Sequence, residues 1–88
     1  MFRLYSDNGG WEKIGVFPTE GDVVSTIIGY NNMFNLCRFL IIHHDEANDC
    51  DIPYKSINNE EKLKEYLLDC KERQIEFSSK KKKKKQKN

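Results

Sequence analysis

The sequence is short of cysteine pairs and of long apolar runs, and each shortage excludes something. Cys37, Cys50 and Cys70 are odd in number and show no C-x-x-C spacing. Neither a disulfide framework nor a paired-thiolate zinc site is therefore expected. No signal-peptide pattern follows Met1, so the cysteines read as thiols of an intracellular, cytoplasmic protein. The longest apolar stretch is four residues, Phe39 to Ile42; a membrane-spanning helix needs about 20. The glycines at 9, 10, 15, 21 and 29 make no phosphate-binding pattern. Gly9-Gly10 falls between two strands, whereas a phosphate loop must open a helix. Asp45 and Asp49 do not have calcium-loop spacing, and no glycine stands where that loop turns. No terminal Gly-Gly is present, so conjugation as a tag is not the expected role.

What is present fits one small folded domain. The chain has 88 residues, 38% of them hydrophobic, with ten aromatics. A body of that size buries about 60% of its unfolded surface, so the core is modest. The formal charge of +1 conceals an asymmetry. Residues 1–77 hold eight basic and fourteen acidic residues, a net of −6, while Lys80 to Lys85 and Lys87 supply the other seven positive charges. An acidic domain over 1–77 and a disordered, lysine-rich tail over 78–88 are expected.

Phe2 to Tyr5 alternates with period two, Asp7-Asn8-Gly9-Gly10 is a tight turn, and Trp11 to Phe17 is the return strand. In it Ile14 and Val16 are assigned to one face and Trp11, Lys13 and Phe17 to the other, with Gly15 marking a bulge. Pro18 ends the strand and Thr19 caps a helix with Val23, Val24, Ile27 and Ile28 as its apolar stripe. Gly29 is its expected stop, with Met33 and Phe34 tucked inward from the following loop. Cys37 to His43, the most apolar run, suits a central strand. After the acidic stretch Asp45, Glu46, Asp49, Asp51, Pro53 pushes the strand ending at Ile57 toward a sheet edge. Asn58 or Asn59 then caps a helix that opens on Glu60 and Glu61 and carries Leu63, Tyr66, Leu67 and Cys70 inward. Gln74 to Phe77 is expected as a last strand. The class is α+β, with the order strand, strand, helix, strand, strand, helix, strand.

The opening hairpin, proline and capped helix resemble a ubiquitin-like β-grasp, which implies a mixed sheet. Within it, FLIIHHDEANDCD followed by NNEEKLKEYL resembles the acidic motif of the Phox-and-Bem type of interaction domain over residues 1 to 77. Ala47-Asn48-Asp49 stands where that motif has Asp-Gly-Asp. The resemblance implies a non-enzymatic adaptor. Its docking residues would be Asp45, Glu46, Asp49, Asp51, Glu60 and Glu61, with Arg3 in place of a lysine on a separate basic face. The expected partner is a protein with a basic surface, and self-association is open to such a module. Clustered carboxylates select such a partner and speed its encounter; exposed pairs contribute about 0–1 kcal/mol apiece, so several act together.

Two alternatives stand beside this reading. An acidic domain this small suits an inhibitor from a virus or mobile element that occupies a nucleic-acid groove of a host protein. The Lys80–Lys85 run suits weak contact with nucleic acid or an anionic membrane, a solubilising end, or masking of the acidic body. No cofactor or catalytic centre is expected. His43 and His44 are adjacent on a strand and point apart, which argues against a shared metal. Cys37 and Cys70 read as small core residues without an orienting base. Tyr5, Trp11 and Phe17 are candidates for one outer aromatic patch.

Overall fold

A computed structural model describes residues 1–77; the lysine tail, with the roles considered for it, lies outside the described residues. The first hairpin joins β1 (Phe2–Asp7) to β2 (Trp11–Phe17). Its turn is held by Asp7, whose carboxylate accepts from the Gly10 amide at 2.9 Å, and Gly9 takes a φ of 87°. Leu4 opposes Gly15 while Tyr5 opposes Lys13, which leaves Ile14 as the extra residue of a bulge beside Gly15. The bulge reverses the expected face assignment. Ile14 and Phe17 pack against the core, and Val16 and Trp11 are exposed. Phe17 therefore does not join Tyr5 and Trp11 on the outer face.

Helix α1 (Glu20–Phe34) starts where expected: the Thr19 hydroxyl accepts from the Asp22 amide at 3.2 Å. It does not stop at Gly29. The left-handed cap is Asn35, at φ 57°, and its amide donates to the Asn31 carbonyl. The extra turn carries Met33 and Phe34 into solvent, not inward. A β-carbon on Gly29 would meet nothing within 4 Å. Gly29→Ala is thus expected to stabilise the domain by about 0.5–1 kcal/mol, because alanine has less backbone entropy to lose in a helix. Urea denaturation checks it; a loss of stability would mean that the site is crowded.

β3 (Phe39–Asp45) and β4 (Cys50–Ile57) follow, then α2 (Glu60–Glu72), capped by Asn59. The sheet order is β2-β1-β3-β4, with every neighbouring pair antiparallel. β3 is central and β4 lies at an edge, with Pro53 in it, as the sequence implies. The class is α+β, but the sheet is not mixed, and residues 74–77 form no strand. The cause lies at the end of α2. Gln74 turns left-handed at φ 62°, its amide bonds Lys71 and the Ile75 amide bonds Cys70. That double cap swings the chain onto α1, where Glu76 lies against Gly21.

One core joins the inner sheet face to both helices: Leu4, Phe39, Ile41 and Ile57 meet Val23, Val24 and Ile27 of α1 and Leu63, Tyr66 and Cys70 of α2. Among the described residues, both helices pack on the inner face and none covers the outer one. Among the described residues, no helix is long and apolar enough to cross a membrane.

Candidate protein-docking site

The acidic stretch between β3 and β4 is a hydrogen-bonded turn, and its four carboxylates are not equivalent. Asp45 is committed to the turn: its two oxygens accept from the Ala47 amide at 3.1 Å and the Asn48 side-chain amide at 2.8 Å. Those bonds, Asn48's foremost, hold its carboxyl below the usual range. Asp51 is committed across the sheet. It accepts from His44 Nδ1 at 2.8 Å and Arg3 at 2.6 Å, which hold its carboxyl low in that order of weight. Glu46 and Asp49 remain at the apex. Asp49 is 94% exposed in a left-handed conformation, with His44 Nε2 3.3 Å away.

Register explains the Arg3 contact. Arg3 opposes Ile42, Ile42 opposes Pro53 and His44 opposes Asp51. Alternation puts Arg3, His44 and Asp51 on one face, one diagonal step apart. Arg3 is thus part of the acidic end and does not supply a separate basic face. His43 points the other way, stacked on Phe2 at 4.8 Å, in keeping with the expected divergence of the two histidines.

Glu60 and Glu61 do not join the loop. They open α2 beyond the far end of β4, whose eight residues span about 26 Å at the rise of an extended chain. Glu60 lies 3.9 Å from Lys64, and both are exposed. The six expected carboxylates form two separate groups, because a strand of that length stands between them.

Sequence reasoning missed Glu20. At the first turn of a helix it reads as a surface acid that favours the dipole. Instead it is 9% exposed and accepts from Tyr66 at 2.5 Å, Tyr54 at 3.0 Å and both terminal nitrogens of Arg73 at 3.0 Å. Arg73 also bonds Asp69 at 2.9 Å. Burial alone would raise the Glu20 carboxyl. The bonds from Arg73, Tyr66 and Tyr54 outweigh it and hold the carboxyl below the usual range. Burial and Glu20 push both phenols up. A signal existed in Tyr66, since a tyrosine on an apolar stripe needs a partner for its hydroxyl.

This cluster ties α1, β4 and α2 together, and Tyr54, Tyr66 and Arg73 occupy both oxygens of its carboxylate. Cys70, beside it and buried, has its thiol pushed up by desolvation, which keeps it protonated and poorly nucleophilic. Among the described residues, no group of three or more histidine, cysteine or acidic side chains is placed to hold a metal ion. A groove of 260 Å³ between the helices is bordered by Ile28, Leu63, Leu67 and Phe77, with Lys71 as its single charged group. No protein-family model, curated protein or solved structure matches the chain.

Proposed function

We propose that the domain is a non-enzymatic protein-interaction module that docks its acidic β3–β4 turn onto a basic surface of a partner protein. The observation that carries this reading is the division of labour in the turn. Asp45 and Asp51 hold its shape while Glu46 and Asp49 project at its apex, Asp49 94% exposed with His44 Nε2 3.3 Å from it. A preformed turn loses little entropy on docking, and its two apex carboxylates face solvent, where a partner can reach them. On α2, by contrast, Glu60, Glu61 and Glu65 alternate with Lys62 and Lys64, which dilutes that field.

The β-grasp reading belongs to the same proposal. A strand placed between β1 and β3 would run parallel to one of them and make the sheet mixed. The domain is then a short form of that plan, with residues 75–77 diverted onto α1.

The test is zero-length carbodiimide cross-linking in native extract, which couples carboxylates to lysines in direct contact. Wild type should link to partner lysines through Glu46 or Asp49. Glu46→Lys with Asp49→Lys should lose those links and bind the recovered partner at least about tenfold more weakly, with an unchanged thermal melt. Asp45 is left alone because it shapes the turn. Equal affinity in the double variant sinks the reading.

A further inference from the structure

His44 stands between two carboxylates, one at each ring nitrogen. Nδ1 lies 2.8 Å from Asp51 Oδ1, and Nε2 lies 3.3 Å from Asp49 Oδ1. The two contacts make different demands on the ring. Asp51 is an ionised carboxylate that also accepts from Arg3 at 2.6 Å. It can only accept, so Nδ1 carries the proton between them. A neutral imidazole has a single N–H, and Asp51 takes it. Nε2 then turns a lone pair toward Asp49, and two acceptors at that distance repel. A second proton on Nε2 reverses the sign, and the imidazolium attracts Asp49 where it stands in the structure.

We propose that His44 is a proton switch on the docking turn: protonated at Nε2 it holds Asp49 and weakens docking, and neutral it releases Asp49 to the partner. The inference rests on the docking reading above and names its regulation. Asp51 keeps Arg3 in both states, so the frame of the turn does not depend on the second proton. Asp49 has no partner but His44 among the described residues, and at 94% exposure it has room to swing away. The net charge changes in the same direction. Four carboxylates and Arg3 leave this end of the sheet three charges negative while His44 is neutral, and two once it is protonated. Acidification therefore lowers its attraction for a basic surface.

The groups that face the ring are few. From β4 comes Asp51, and from the turn Asp49. From β1, Arg3 acts through Asp51, and the Met1 carbonyl accepts the His44 amide at 3.0 Å. Asp45 is taken up by Ala47 and Asn48, and Glu46 projects at the apex. His43 stacks on Phe2 on the opposite face of the sheet, so it reports separately. Histidine is the side chain whose charge ordinarily changes between about pH 5 and 8. Carboxylates ordinarily titrate near 4, and Asp45 and Asp51 are held lower still.

The test is an NMR titration of the full 88-residue chain, which needs no partner, from about pH 7.5 to about pH 5.5. Ring nitrogen shifts should show Nδ1 protonated throughout and Nε2 gaining its proton on acidification. The Asp49 carboxyl and amide resonances should move along the same curve. His44→Asn should hold them still, because its amide keeps a donor for Asp51 and lacks Nε2. A neutral ring protonated on Nε2 instead, or an Asp49 response that survives in His44→Asn, overturns the switch. With the partner recovered by cross-linking, wild-type binding should weaken about three- to fivefold across that range, the scale of one exposed pair. His44→Asn binding should change by less than about twofold. The two readings fail separately. Binding that ignores Glu46→Lys with Asp49→Lys sinks the docking turn, while the free-chain titration still reports the ring. A wild type that needs those two residues yet binds equally at both ends of the range sinks the switch alone.

Discussion

Replacing Glu20 with alanine is expected to cost the domain about 2–4 kcal/mol, the largest loss of any single side chain outside the apolar core. Four donors converge on one buried carboxylate. Removing it leaves the Tyr66 hydroxyl, on a side chain only 2% exposed, with the weakly accepting Cys70 sulfur alone. A buried polar group left unsatisfied costs about 1–3 kcal/mol. Arg73 loses its bidentate partner as well, but its side chain is 38% exposed and keeps Asp69. It can rehydrate, which places the total at or below the about 3–5 kcal/mol of a fully buried pair. Glu20→Gln should cost less, about 1–2 kcal/mol, since the amide keeps the volume and one acceptor. Urea denaturation measures both. A loss under about 0.5 kcal/mol for alanine would mean that water replaces the carboxylate, and that the cluster does not tie the three elements together.

The same carboxylate sets a pH dependence. Its folded pKa lies below the unfolded value, so ionised Glu20 favours the folded state. That contribution is complete above the unfolded carboxyl value of about 4.3 and is lost as pH falls through the lower, folded one. Asp45 and Asp51 are depressed in the same direction, but both remain in Glu20→Gln. The difference between the two proteins therefore isolates Glu20. Wild type should lose more stability than Glu20→Gln between roughly pH 5 and pH 3. Parallel curves would contradict the assignment.

Local signals in the sequence located most elements, and non-local contacts account for the misses. Thr19 and Asn59 mark the helix starts because a cap is a three-residue event. The Asp7 to Gly10 turn is legible for the same reason. Parity in β2 was lost at Ile14, since one extra residue flips every side chain beyond it and Gly15 showed only that a bulge was near. Gly29 misled because a glycine's freedom permits a helix stop without requiring one; Asn35 took the left-handed position five residues after Tyr30. The acidic residues were legible as a list but not as a site. Glu60 and Asp45 look close in sequence, yet β4 holds them apart. Asp51 looked free until Arg3, 48 residues away, reached it. Glu20 was hidden most completely, for its partners lie 34, 46 and 53 residues along the chain.

Gly21→Ala separates the observed path of the chain end from the strand expected there. In the first turn of α1, alanine should by propensity stabilise the helix by up to about 1 kcal/mol. The fold opposes this. A β-carbon at Gly21 would lie 1.9 Å from the carbonyl oxygen of Glu76, a backbone atom that cannot rotate away. Either α1 shifts or residues 75–77 lift off, taking Ile75 and Phe77 from the core they pack against. The expected net result in the full chain is a loss of about 1–3 kcal/mol, the usual cost of overfilling a packed site. In a chain ending at Gln74 the opposing carbonyl is gone, so the same substitution should turn neutral or stabilising. The sign change, measured as a double-mutant cycle by urea denaturation, reports the contact itself and not the helix propensity. Stabilisation in the full chain would mean that the segment after Gln74 does not lie on α1.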